Sequence, residues 1–183
     1  MKIFYTIIFI ILSLILFCSI IFVCLSLMGL ARTQVPFIPV RRGVIGNIID
    51  SLDLDTNSVL YDLGSGDGRI LFFANKKYGI KCVGIESAIL PFVISKIRSL
   101  FYSGVKIINK DFFKQDISPA THVFVFLYPK IMDKLLPKFE KELKKGTILV
   151  SCDFQFSHKV PFKVIEIPKS GKKLCRKLYI YQF

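Results

Sequence analysis

VLYDLGSGDGR, Val59 to Arg69, is the stretch on which the reading of this chain turns. An apolar run holding Val59, Leu60 and Leu63 leads into Gly64, Gly66 and Gly68, and a helical pattern opens near Arg69. Glycine reaches the positive φ of a sharp strand-to-helix turn. Without a Cβ it also lets a ligand lie against the backbone, while the helix N-terminus offers free N–H groups. The stretch therefore predicts a nucleotide-type ligand site at the carboxyl end of a strand. A tight turn with no ligand is the bland alternative.

The neighbouring residues choose among ligands. A dinucleotide fingerprint wants G-x-G-x-x-G, with a third small residue for close helix packing and the pyrophosphate on the helix dipole. Here the spacing is G-x-G-x-G, and Arg69 stands where the third small residue would be. Asp62 ahead of the turn and Asp67 within it suit a ligand with a positive amino group better than a pyrophosphate. S-adenosyl-L-methionine (SAM) carries an ammonium and a sulfonium and no phosphate. KCVGIES, Lys81 to Ser87, reads as a second strand ending in Glu86, where a carboxylate can take both ribose hydroxyls. VKIIN ends a third strand before Asp111 and Phe112, placed to meet the adenine edge. The expected SAM contacts are thus Asp62, Gly64, Ser65, Gly66, Asp67, Gly68, Glu86, Asp111 and Phe112.

From Ile3 to Ala31 there is no charged residue, and the whole chain has a mean hydropathy of +0.53. Roughly 20 helical residues cross a bilayer core, so this run reads as one transmembrane helix. It is longer than the apolar core of a cleaved signal peptide, about 7 to 15 residues. Lys2 flanks it on one side and Arg32, Arg41 and Arg42 on the other. The positive-inside bias puts the rest of the chain in the cytoplasm, or in the mitochondrial matrix if the protein is organellar. Residues 1–31 are expected to be the anchor, 32–43 a linker with Pro36 and Pro39, and 44–183 one catalytic domain.

The net charge of +13 comes from 26 Lys plus Arg against 13 Asp plus Glu. Such a surface suits anionic headgroups. A nucleic-acid partner is not expected, since the lysines are spread out and no aromatic-basic RNA motif accompanies them. Five cysteines without CxxC or Cys/His spacing predict neither a disulfide framework nor a metal. His122 reads as structural.

Along the chain, Val44 to Leu54 has helical apolar spacing. Strands are expected at Val59–Leu63, Lys81–Glu86, Val105–Asn109, His122–Leu127 and Thr147–Cys152, with helices to about Tyr78, over Ala88–Tyr102 and over Lys130–Lys144. Pro137 should kink the last helix. Phe112 to Ala120 is too short and polar for a full helix. Phe162–Ile167 and Leu174–Tyr181, joined by KSGKK, read as an antiparallel hairpin closing a parallel sheet. The fold class is α/β, a Rossmann-like seven-stranded sheet with helices on both faces.

The series Asp62, glycine turn, Glu86, Asp111 resembles class I SAM-dependent methyltransferases. More narrowly, the chain is similar to the membrane-anchored protein-lysine methyltransferases that modify the ATP synthase c-ring protein and the adenine nucleotide translocase. The resemblance rests on VPFIP at Val35–Pro39, DLGSGDGR at Asp62–Arg69, DFFK at Asp111–Lys114, FLYP at Phe126–Pro129, Lys138 with Glu142, Leu143 and Gly146, and LVSCDF at Leu149–Phe154. It covers nearly everything after Gln34. Two departures stand out: the family's E-x-N-P segment reads ESAI at Glu86–Ile89, and the aromatic of the proline motif is Phe37 where the family often has Tyr.

The resemblance implies methyl transfer to a lysine of a membrane-associated protein. Such a displacement needs the amine held about 3 to 3.5 Å from the methyl carbon, in line with the departing sulfur. A dry aromatic pocket lowers an amine's pKa, so no dedicated base is required. Phe126, Tyr128 and Phe37 are the expected pocket walls, with Pro129 turning backbone carbonyls toward the nitrogen; Phe126 reads equally well as core. Methylation of a lipid headgroup or small molecule, and SAM binding without catalysis, stay open. An RNA methyltransferase is disfavoured, because FLYP stands where an NPPY-like motif would be.

Overall fold

The computed structural model describes residues 2–33, 38–167 and 175–183. Its sheet has seven strands in the order β3-β2-β1-β4-β5-β7-β6. These are β1 (Val59–Leu63), β2 (Lys81–Ile85), β3 (Val105–Ile108), β4 (His122–Val125), β5 (Ile148–Cys152), β6 (Lys163–Glu166) and β7 (Lys177–Gln182). β1 to β5 pair in parallel, and β7 is antiparallel to both β5 and β6. The helices are α1 (Lys2–Thr33), α2 (Arg42–Ser51), α3 (Arg69–Tyr78), α4 (Ile89–Ser99) and α5 (Pro129–Glu142), with a 3₁₀ turn at Phe112–Lys114. The expected KSGKK turn and Phe37 lie outside the described residues.

Alternate residues along each strand serve two cores, as a pleated strand requires. Leu60, Phe124 and Val150 join Ile48, Ile49, Leu71 and Ala74 of α2 and α3 on one face. Tyr61, Leu63, Val123, Val125 and Leu149 join Met132, Leu135 and Phe139 of α5 on the other. Helices thus cover both faces, and the β1 and β4 runs are apolar throughout because neither face meets water. Each such buried aliphatic side chain stabilises the fold by about 1.5–3 kcal/mol.

Several elements are shorter than their apolar pattern suggests. Glu86, Asn109 and Leu127 fall just past their strands. Pairing stops there because the backbone turns to serve the site: the N–H groups of Gly64 and Ser65 both donate to the Ile85 carbonyl, at 2.9 and 3.1 Å. α4 ends at Ser99, three residues before the expected Tyr102, and turns carry the chain to Gly104. α5 continues through Pro137 to Glu142. Pro137 deprives the Asp133 carbonyl of its helical donor, a loss that water can make good because Pro137 is exposed. Lys138 and Glu142 pair one turn apart at 2.6 Å, and the other Glu142 oxygen accepts the Ile117 N–H, tying α5 to the approach to β4.

α1 is 32 residues long, about 48 Å at 1.5 Å per residue. Its segment Lys2–Ile21 has a mean hydropathy of 2.8 and is unburied. By length and composition it can cross a membrane.

Candidate active site

The strand β1 delivers Asp62 into the sheet's centre, between Gly84 of β2 and Phe124 of β4. The chain then turns through Gly64, Gly66 and Gly68, all at positive φ (79°, 55° and 75°), which only glycine adopts without strain. A Cβ on Gly68 would stand 2.6 Å from the Phe72 ring, so this glycine serves the turn and α3 packing. It does not line the cavity that opens beyond the strand ends.

That cavity measures about 600 Å³, within the ~300–1,000 Å³ typical of small-molecule sites. Asp62, Gly64, Ser65, Gly66 and Asp67 form its floor. Glu86 stands on one side, with Asp111 and Phe112 beyond it, and Phe126 and Tyr128 line the opposite wall. Of the residues expected from sequence, Gly68 and Pro129 do not reach the cavity, and Phe37 lies outside the described residues. Pro129 is the first residue of α5, and the Tyr128 carbonyl accepts the Ile131 and Met132 N–H groups at 2.9 and 3.0 Å. That carbonyl starts a helix and is not turned to a substrate nitrogen.

Glu86 is the organising group. One carboxylate oxygen accepts the Gly66 N–H at 2.8 Å and the other the Ala88 N–H at 2.7 Å, so it ties the glycine turn to the start of α4. Burial pushes its carboxyl up, and these backbone bonds pull it partly back. Asp62 accepts no hydrogen bond among the described residues. Burial first, then the nearby Glu86 and Asp67 charges, raise it well above the carboxylate range. Asp67 differs from its expected role: burial pushes it up, but the Arg69 guanidinium outweighs this and holds it low. Arg69 donates to both Asp67 oxygens, at 2.8 and 2.6 Å, and to the Val40 carbonyl. Asp67 thus holds Arg69, and Arg69 fastens the segment before α2 to the turn. Asp111 caps the 3₁₀ turn by accepting the Phe113 N–H at 3.0 Å.

Three features lay beyond the sequence reading. Phe154, after β5, stacks on Phe126 at 6.2 Å and meets Tyr128 at 5.6 Å, completing an aromatic wall. Asn109 donates to the Glu86 and Ser87 carbonyls, bracing the ESAI loop from β3. Ile38, Pro39 and Val40 line the cavity from before α2. At the far end of β4, the His122 Nδ1 lies 2.8 Å from the Thr121 hydroxyl, away from the cavity, in keeping with a structural role. Cys152, Asp153 and Cys175 group their side-chain tips within 4.8 Å of one another. The Asp153 carboxylate there is taken by the N–H groups of Cys175, Arg176 and Lys177. It serves as an anchor for the chain entering β7.

SAM fits this donor set. Among the described residues, the floor presents two buried carboxylates that no cation neutralises and a buried Ser65 hydroxyl with no partner. Arg69 is already engaged, so the described floor lacks a free cation for a pyrophosphate; Lys110 and Lys114 sit at the exposed rim.

The raised Asp62 predicts a pH effect with a definite sign. Its folded carboxyl binds a proton more readily than its unfolded one, so unfolding releases protons and stability falls as pH rises through the raised value. Asp62→Asn removes that cost. The ligand-free variant should melt a few degrees above wild type at pH 8, and the gap should close as the pH is lowered. Melting curves across pH check this, and a gap that stays constant or widens toward acid refutes it.

Residues 62–163, more than half of the chain, match the ANTKMT methyltransferase domain family. This chain belongs to that family. A protein-lysine N-methyltransferase of Saccharolobus islandicus is 33% identical over 151 residues, 80% of this chain and 94% of that one. The human lysine N-methyltransferase of the ATP synthase c-ring protein is 33% identical over 138 residues, 73% of this chain and 58% of the human one. Among solved structures, a Salinibacter ruber RNA methyltransferase in complex with S-adenosyl-L-homocysteine superposes with a TM-score of 0.73 at 30% identity, covering 79% of this chain and 93% of that one. A Geobacter sulfurreducens SAM-dependent methyltransferase, at 18% identity and a TM-score of 0.53, shares the fold. This member of the ANTKMT family is a SAM-dependent methyltransferase with the seven-stranded fold.

Proposed function

We propose that this enzyme is a protein-lysine N-methyltransferase, held at a membrane by α1 and acting on a membrane-associated protein. The observation that carries the reading is its 33% identity, across nearly the whole Saccharolobus protein, to a protein-lysine N-methyltransferase. Relatives named for lysines of the ATP synthase c-ring protein and of the adenine nucleotide translocase support it. Residues 1–31 would be the anchor, 32–43 the linker and 44–183 the catalytic domain. Arg32, Arg41 and Arg42 favour a cytoplasmic or matrix-facing active site.

In this reading SAM supplies an electrophilic methyl group on a sulfonium. Asp62 holds the ammonium end, and Glu86 uses its remaining lone pairs on the ribose hydroxyls. Ser65 and Gly66 lie against the amino-acid portion, and Asp111 and Phe112 border the adenine. Phe126, Tyr128 and Phe154 strip water from an entering lysine, which favours its neutral form. The amine nitrogen then bonds to the methyl carbon as the carbon–sulfur bond breaks, its electron pair staying on sulfur. Holding the amine in line is the enzyme's main contribution.

The net charge of +13 and the Salinibacter structure favour a second reading, an RNA substrate. One experiment separates them. Detergent-solubilised enzyme is incubated with methyl-labelled SAM and washed membranes or total RNA from its own source, and protein, lipid and RNA are then separated. Label on lysine in a protein band is expected. Label confined to RNA or lipid would overturn the proposal, as would SAM binding with no label anywhere.

A further inference from the structure

We infer that the outer face of α4 is a second membrane contact, lying in the headgroup layer of an anionic bilayer beside α1. The inference rests on the reading of α1 as the anchor and extends it to how the catalytic domain is seated.

α4 buries Pro91 and Ser95 against the sheet and leaves Val93, Ile94 and Ile97 exposed. Leu100 and Phe101 follow at its end, 77% and 82% exposed. Positions 93, 97 and 101, with 94 and 100 between them, fall on one helical side, so these five side chains form a continuous patch. Scattered exposed apolar residues mean little, whereas a contiguous patch of this kind marks an interaction surface. The exposures hold with α1 present, although α1 runs against α4. The patch is thus continuous with the helix long enough to span a bilayer.

Charge selects the partner. From Ser87 to Lys110 there is no Asp or Glu, while Lys96, Arg98, Lys106 and Lys110 all occur there. Lys81 joins them at the end of the sheet that carries Phe101, since Cys82 beside it pairs with Val105. Lys81, Lys96 and Lys106 form no ion pair among the described residues. An apolar face with bulky tips, edged by unpaired cations, is the composition of a helix lying in an interface. Each lysine near an anionic surface adds about 1 kcal/mol. Ala88, just before α4, lines the active-site cavity. An 11-residue helix is about 16 Å long, so this seating holds the cavity mouth within that distance of the headgroups.

The chain contains no tryptophan, which makes single-tryptophan reporters possible. Three full-length variants, Phe17→Trp in α1, Phe101→Trp, and Phe162→Trp at the opposite edge of the sheet, are placed in nanodiscs of phosphatidylcholine with phosphatidylglycerol. Some carry brominated acyl chains as quenchers, and unchanged SAM affinity verifies the fold of each. Phe101→Trp should be quenched at least twofold, and less so in phosphatidylcholine alone, while Phe162→Trp stays unquenched. An unquenched Phe101→Trp beside a quenched Phe17→Trp overturns the α4 contact and leaves the anchor standing; the face would then belong to a protein partner or a second copy. An unquenched Phe17→Trp overturns the anchor, whatever Phe101→Trp reports.

Discussion

Glu86→Ala should weaken SAM and S-adenosylhomocysteine binding by about 100-fold or more. Two losses add. The carboxylate's remaining lone pairs would hold the ribose hydroxyls, and charge-assisted bonds of that kind contribute roughly 1.5–3 kcal/mol. The same carboxylate accepts the Gly66 and Ala88 N–H groups at 2.8 and 2.7 Å, so its removal also loosens the turn. Burial raises the Glu86 carboxyl, and deleting the charge relieves that cost. Two orphaned N–H groups at about 1–3 kcal/mol each outweigh the relief, so the variant should also melt below wild type. Titration calorimetry with S-adenosylhomocysteine reads the first effect and thermal melting the second. Wild-type affinity in the variant would remove Glu86 from the site.

Gly84→Val should have the largest effect on the fold, because this glycine is fixed by packing and not by its φ. It sits in β2 between Asp62 and Ile107. A Cβ there would lie 2.7 Å from both Leu71 Cδ1 and the Ser65 hydroxyl and 2.9 Å from Ile107 Cδ1. Valine would push α3, the glycine turn and β3 apart together. Overpacking of a well-filled core costs about 1–3 kcal/mol, and three simultaneous clashes put this site at the upper end or beyond. Gly84→Ala should be milder in stability yet still reduce SAM affinity, since its methyl group displaces Ser65 toward the cavity. Melting and cofactor titration on both variants check this; an alanine variant that binds SAM normally would show that Ser65 yields without consequence.

Much of this was legible in the chain because the signals were local. The apolar runs of β1 to β5 and the glycine turn carry their own periodicity and φ requirements, and the closing hairpin was readable from its two apolar runs. Strand ends were harder, since Glu86 and Leu127 continue an apolar or extended pattern past the point where the backbone leaves the sheet. In the site, Asp62 and Glu86 were readable from acids at strand ends. Phe154 and Val40 were not, because they arrive from segments far away in sequence. Neither was the fate of Pro129, whose neighbour Tyr128 lines the cavity while Pro129 opens α5. Asp67 carries the same lesson: as a carboxylate in the turn it suits a cationic ligand, and only the fold shows Arg69 already holding it.

The claim at the centre of this account is that the cavity is a SAM site in which Asp62 holds the amino-acid end and Glu86 the ribose. Methylthioadenosine keeps the nucleoside and lacks the amino-acid portion, so comparing it with S-adenosylhomocysteine separates the two carboxylates. The measurement is calorimetric titration of both ligands into wild type, Asp62→Asn and Glu86→Ala. Asp62→Asn should lose roughly 30–100-fold in affinity for S-adenosylhomocysteine, about 2–3 kcal/mol, and keep methylthioadenosine binding nearly intact. Glu86→Ala should lose both. Equal losses of the two ligands in Asp62→Asn, or no loss of either, would contradict the account.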